Sequence, residues 1–139
     1  MIGKNNPLNI RTSSAYTWNG QTGATRGFCD FNDVMTCRRA GTYLLMRSYR
    51  RAGCKTIEAV INRWAPSSEN DTNAYIQYVC KRTGLSKHTE LVFNTDYASV
   101  LAAMEIVEKG VMASERETYF FNARAAYLTA MEQFNIKLL

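Results

Sequence analysis

The feature that most constrains this chain is a run of five stretches between Asp33 and Phe134 in which apolar residues recur at helical spacing. Asp33 is placed to cap the first, where Val34, Cys37, Gly41, Leu44, Leu45 and Ser48 follow one face until Gly53. Thr56 opens the second, with Ile57, Val60, Ile61 and Trp64 in one stripe, and Pro66 ends it. The third starts near Asp71, carries Tyr75, Ile76, Val79 and Cys80, and stops at Gly84. In the fourth, Tyr97, Val100, Leu101, Met104 and Val107 share a face, and Gly110 closes it. Ser114 and Glu117 stand in capping-box spacing at the start of the fifth, which runs through Phe120, Phe121, Arg124, Tyr127, Leu128 and Met131 to Phe134.

The first 32 residues follow no such period. Asn5-Asn6-Pro7, Trp18-Asn19-Gly20 and Thr22-Gly23 are turn chemistry. Short extended pieces at Leu8–Arg11 and Gly27–Phe31 are expected to pair as a small hairpin. This lobe is too polar to fold alone. The expectation is therefore one domain over residues 1–139, mainly α within an α+β class, with a lobe at 1–32 leaning on helices at 33–134.

With 46% hydrophobic and 21% charged residues the chain is neither disordered nor fibrous, and no apolar run approaches the ~20 residues of a membrane span. The first twenty residues lack the apolar centre of a signal peptide. If the protein leaves a cell, the expected route is lysis or packaging in a particle rather than secretion. Net charge is +5, which suits polyanionic partners: nucleic acid, anionic lipid or an acidic cell wall. The densest basic group, Arg38, Arg39, Arg47, Arg50 and Arg51, points several ways on a helix and is read as a solvated face. Cys29, Cys37, Cys54 and Cys80 form no CxxC, and His88 is the single histidine, so no metal site is expected. The four cysteines are read as reduced, mostly buried thiols. There is no Gly-rich phosphate loop and no nucleophile elbow, and no organic cofactor is expected.

Two stretches resemble a known group of small phage and prophage proteins, described as virion-associated or structural. One is Asn5-Asn6-Pro7-Leu8-Asn9-Ile10-Arg11 with Trp18-Asn19-Gly20, Gly27-Phe28 and Phe31. The other, more specific, is Thr56-Ile57, Arg63-Trp64-Ala65-Pro66, Glu69-Asn70-Asp71-Thr72, Tyr75-Ile76 and Val79. A more remote likeness is to the lysozyme-like glycosidases of bacterial cell walls, especially the glucosaminidase branch. In that family a catalytic glutamate closes a helix, and an Asn-rich segment, an aromatic-rich strand and a polar helix start follow. Asn9-Ile10-Arg11 looks like the Asn-rich piece, Phe28 and Phe31 like the strand, and Asn70-Asp71-Thr72 with Tyr75 like the helix start. Here the first glutamate is Glu58, after the Asn-rich piece, whereas Ile106-Val107-Glu108-Lys109-Gly110 looks like the end of the glutamate helix. The resemblance thus implies a circularly permuted lysozyme-like helical domain.

Residue chemistry bears on the same glutamate. Glu108 falls on the stripe of Tyr97, Leu101 and Met104 and in the last helical turn, where an apolar surround and the helix dipole both oppose a negative charge. A carboxyl so placed suits a general acid that protonates a leaving glycosidic oxygen. On this reading Glu108→Gln leaves stability unchanged or higher. The alternative is an edge carboxylate in water or paired with a distant arginine. Glu105 points away on the wheel and is expected to pair with Lys109. Glu69 is a candidate base or water-positioning group, and Asp71 is a helix cap or a ligand contact. Asn5, Asn9, Arg11, Asp71 and Tyr75 are the candidate glycan-holding residues, with turn chemistry as the competing role of the asparagines. Trp64 reads as core. Three function classes follow: a phage-type glycosidase cutting the β-1,4 glycan of peptidoglycan, a non-catalytic virion structural or glycan-binding protein, and a nucleic-acid-binding domain supported by charge alone. Peptidoglycan strands and other virion proteins are the expected partners, with nucleic acid and membrane insertion disfavoured.

Overall fold

A computed structural model describes residues 1–68 and 71–138. Two short strands, β1 (Gln21–Thr25) and β2 (Phe28–Phe31), precede five α-helices: α1 (Val34–Tyr43), α2 (Ile57–Trp64), α3 (Thr72–Thr83), α4 (Asn94–Lys109) and α5 (Arg116–Gln133). The mainly α reading with a small N-terminal hairpin holds.

Most helix boundaries follow the capping chemistry of the sequence. Asp33, Thr56 and Asp71 each accept a hydrogen bond from the backbone N–H three residues on, at 2.8, 3.2 and 3.1 Å. Gly84 and Gly110 end α3 and α4 in the left-handed region, with φ of 75° and 73°. Two expectations fail. Ser114 and Glu117 do not form a capping box: Ala113–Glu115 is a 3-10 turn, and α5 starts at Arg116 with no side-chain cap. The first helix is not uniform either. From Leu44 to Tyr49 it widens into a π-helix, which no apolar period announces.

The hairpin also differs in its partners. β2 pairs antiparallel with β1, Thr25 opposite Phe28, through a two-residue turn in which Arg26 and Gly27 have φ of 52° and 81°. Positive φ at both central residues is the geometry that matches strand twist. The stretch at Leu8–Arg11 joins as a single bridge, Arg11 to Phe28, with the Cys29 N–H donating to the Ile10 carbonyl at 2.9 Å.

Helix α4 is the axis of the molecule. Its residues from Val100 to Ile106 are all buried, and it packs against α1, α3 and α5. A helix buried around its whole girth has no solvated face for a charge. The lobe is pinned to this body by Leu8, fully buried, whose Cδ1 would lie 2.4 Å from a Cβ at Gly41 of α1. Only glycine there lets the lobe approach this closely. Asn6, fully buried, ties the lobe internally: its amide donates to the Ile10 and Cys29 carbonyls, both at 2.9 Å, and accepts from the Ile10 N–H at 2.9 Å.

Candidate functional site

Glu108 is the next-to-last residue of α4, and Gly110 turns the chain away just beyond it. Its half-buried carboxylate accepts three hydrogen bonds from three parts of the fold. Tyr75 of α3 donates its hydroxyl to Oε2 at 2.8 Å. Trp64 at the end of α2 donates its indole N–H to the same oxygen at 3.3 Å. Asn9 of the lobe donates its amide to Oε1 at 3.2 Å and to the Glu108 carbonyl at 3.1 Å. The second Asn9 bond satisfies one of the carbonyls that a helix end leaves open. Asn9 reaches it because its backbone sits in the left-handed region, φ 53°, which asparagine tolerates. Burial pushes the Tyr75 phenol well above its usual pKa, and the Glu108 charge and hydrogen bond add to it, so Tyr75 remains a donor.

Glu108 and Asn9 open onto a cleft of about 540 Å³ between the lobe and the helices. One wall carries Arg11, its guanidinium 4.8 Å from the centre of the Phe28 ring. The other carries Trp64, Tyr49 and Arg63, with Arg63 5.1 Å over the Tyr49 ring and Tyr49 edge-on to Trp64 at 6.4 Å. Glu108 is the one carboxylate among the described lining residues.

The sequence-derived candidates therefore separate. Glu108, Asn9 and Arg11 share this cleft. Asn5 does not line it: its amide donates to the Phe31 and Asn32 carbonyls at 3.0 and 3.1 Å, which is turn chemistry. Tyr75 is 7% exposed, so it meets the site from beneath, through Glu108, rather than from the side a ligand would occupy. Asp71 is exposed and caps α3. Glu69 and Asn70 lie outside the described residues. Trp64, read as core, is half-buried and is also a cleft wall and a donor to Glu108. Its N–H lies at the same helix end as Pro66, and no periodicity argument places an indole edge. The three donors also reverse the stability expectation for Glu108→Gln, because an amide nitrogen would face donors where an oxygen now accepts.

Glu105 is the larger correction. It does not pair with Lys109, whose ammonium sits 5.0 Å over the Tyr119 ring. Glu105 is fully buried and holds Arg38 of α1 in a two-pronged pair, Nη2 to Oε1 at 2.7 Å and Nε to Oε2 at 3.2 Å. Tyr119 donates to Oε1, and Tyr127 donates to Oε2 at 2.7 Å. Burial opposes the Arg38 charge, but the Glu105 hydrogen bonds and charge outweigh it and hold its proton more firmly than usual. The wheel misplaced Glu105 because it assumed that α4 had a wet face. The basic cluster is a solvated face only in part: Arg51 is exposed, whereas Arg50 donates to the Leu91 carbonyl at 2.7 Å and to the Tyr97 hydroxyl at 3.1 Å, and the half-buried Arg39 lies 4.8 Å over the Phe134 ring.

All four cysteines are free, Cys29 and Cys37 buried, Cys54 and Cys80 half-buried. Among the described residues no three His, Cys, Asp or Glu side chains stand together as a metal set, and no helix is long and apolar enough to cross a membrane.

No family model matches the chain. Protein P5 of Pseudoalteromonas phage PM2 is 36% identical over 110 residues, which cover 76% of this chain and 68% of that protein. The chain belongs to the phage P5 family. Membership agrees with the phage resemblance of the two stretches between Asn5 and Val79. A P5-family protein is a phage protein, and the Glu108 cleft is a feature of this P5-family chain.

Proposed function

We propose that this phage protein is a cell-wall glycosidase of the virion that cuts the β-1,4 glycan of peptidoglycan, with Glu108 as its proton donor. The observation that carries the reading is the cleft itself, in which one carboxylate stands between aromatic and arginine-bearing walls. Glu108 in its acid form gives its proton to the leaving glycosidic oxygen as the C1–O bond breaks and positive charge spreads over C1 and the ring oxygen. The carboxylate then takes a proton from the group that bonds to C1. That group is water in hydrolysis, or the sugar's own C6 hydroxyl in transglycosylation. The second path asks for no second carboxylate. Asn9 and Trp64 fix the orientation of the carboxyl, and Arg11 and Arg63 suit the carboxylates of the wall's peptides. The +5 charge agrees with an anionic polymer as partner.

A second reading has its own observation. The three donors on Glu108 join the lobe, α2 and α3 to α4, as they would in a non-catalytic structural or glycan-binding virion protein that uses this carboxylate as a tie. Purified peptidoglycan separates the two. The glycosidase reading expects release of soluble fragments by the unaltered protein and a loss of roughly 10²–10⁴-fold in Glu108→Gln. Full activity in Glu108→Gln refutes the role of Glu108, and an intact wall with the unaltered protein refutes the glycosidase reading and favours the structural one.

A further inference from the structure

A second cleft, of about 450 Å³, adjoins the first. Tyr16, Trp18 and Tyr43 form a ladder of rings in it, edge to face, with centroids 4.9 and 6.0 Å apart. Tyr16 is 49% and Tyr43 41% exposed, so the ladder presents aromatic surface to the cleft. Arg39 and Arg51 line the same cleft, and no Asp or Glu does among the described residues. Tyr16 and Ser48 line both clefts, so the two meet at these side chains.

The ladder is built rather than incidental. Trp18 sits in a closed turn: its N–H donates to the Gln21 side chain at 3.1 Å, and its carbonyl accepts from the Gln21 N–H at 3.0 Å. The turn is pressed onto α1, where a Cβ at Gly20 would lie 2.8 Å from Thr36 Cβ. The π-helix, a rare conformation that is frequent at functional sites, supplies Ser48 to the seam.

We propose that one carboxylate-bearing glycan strand lies across both clefts, its sugars stacked on Tyr16, Trp18 and Tyr43 and its acidic substituents against Arg39 and Arg51. This rests on the reading of the Glu108 cleft as a glycan site and extends it to a longer, acidic substrate. Sugar rings offer apolar C–H faces to the exposed aromatic surface, and the two arginines ask for anions that a neutral polysaccharide lacks. Continuity through Tyr16 and Ser48 makes both clefts subsites of one strand.

The protein carries its own reporters, since its two tryptophans fall one in each cleft, Trp18 in the aromatic cleft and Trp64 beside Glu108. Their indole N–H signals, assigned with Trp18→Phe and Trp64→Phe, are followed by NMR in the full chain carrying Glu108→Gln, so that nothing is cut. The probes are a soluble peptide-bearing tetrasaccharide from peptidoglycan and chitotetraose, which has no carboxylate. Both signals should move on one binding curve with the acidic probe. Arg51→Gln should weaken that probe about five- to tenfold and leave chitotetraose unchanged. Tyr16→Ala, at an exposed side chain, should weaken both probes about tenfold. A silent Trp18 with a moving Trp64 overturns the proposal and leaves the Glu108 reading standing. Two silent signals overturn both. A moving Trp18 with a silent Trp64 overturns the single strand. An equal effect of Arg51→Gln on the two probes overturns the acidic ligand. A thymidine oligonucleotide that moves Trp18 at lower concentration than either glycan makes the ladder a nucleic-acid groove and overturns the assignment.

Discussion

Glu105→Gln is expected to be among the most damaging single-atom changes available to this protein. It removes one negative charge from a fully buried position while Arg38, whose side chain is 17% exposed, stays in place. The four donors converging on the carboxylate are two Arg38 nitrogens and the hydroxyls of Tyr119 and Tyr127. An amide offers one oxygen to them and turns an NH2 toward the rest. Breaking a buried ion pair from one side costs about 3–5 kcal/mol. For a domain of this size that lowers Tm by roughly 10–20 °C. Urea unfolding followed by circular dichroism measures it, with the slope unchanged and the midpoint shifted. Arg38→Met combined with Glu105→Gln removes both charges and leaves a neutral amide for the two phenols. The double variant should therefore lose at least ~2 kcal/mol less than the sum of the single losses. Additive losses, or a Glu105→Gln cost under ~1 kcal/mol, would refute the view that a desolvated charge pair organises the centre of the fold.

Glu108→Gln, beyond its effect on activity, should cost about 1 kcal/mol in the same unfolding assay, since an amide nitrogen would face the donors of Asn9, Trp64 or Tyr75; an unchanged or raised midpoint speaks against the three-donor clamp. Stability should fall as pH rises above about 10. Burial pushes the Tyr49 phenol up to about 12 and also raises those of Tyr75 and Tyr127 well above the usual value, so the folded state holds these protons more tightly than the unfolded state, and each phenol removes up to ~1.4 kcal/mol per pH unit in that range. Unfolding midpoints at pH 9, 10 and 11 check this, and a flat profile would refute it. A thiol reagent should reach Cys54 and Cys80 before Cys29 and Cys37 in the native protein, because burial takes the Cys37 thiol up to about 12, and should count all four after denaturation. A count of zero under denaturing conditions would mean paired cysteines.

The caps and stops made the helices legible: Asp33, Thr56, Asp71, Gly84 and Gly110 each act through bonds to their own neighbours, and such local chemistry is written locally. Glu108 was legible for a related reason. It interrupts an apolar stripe, and a charge where a stripe demands a hydrophobe signals a partner from elsewhere. What the sequence hid depends on the third dimension. A helical wheel does not show that α4 is enclosed on every side, so it points Glu105 to water. The small residues Ala98, Ala102 and Ala103 carried that signal, because a helix dotted with alanine on several faces accepts close neighbours on several faces. Asn5 and Asn9 are the same residue type with the same left-handed backbone, φ of 55° and 53°, yet one closes a loop and the other reaches the cleft. Nothing short of the folded lobe distinguishes them.

The widened turn at Leu44–Tyr49 sets the phase of everything that follows it in the same helical rod. A π turn takes up one residue more than an α turn, so it offsets the side chains beyond it by about 100°. Deleting a single residue here would let the rod close into an ordinary helix with its composition almost intact. Ser48, Tyr49 and Arg51 would then swing away from the two clefts they now line. Chain length over these six positions is therefore a marker that can be read in any relative without a structure. A relative that is one residue shorter here presents a different wall to its ligand, however similar the rest of its sequence.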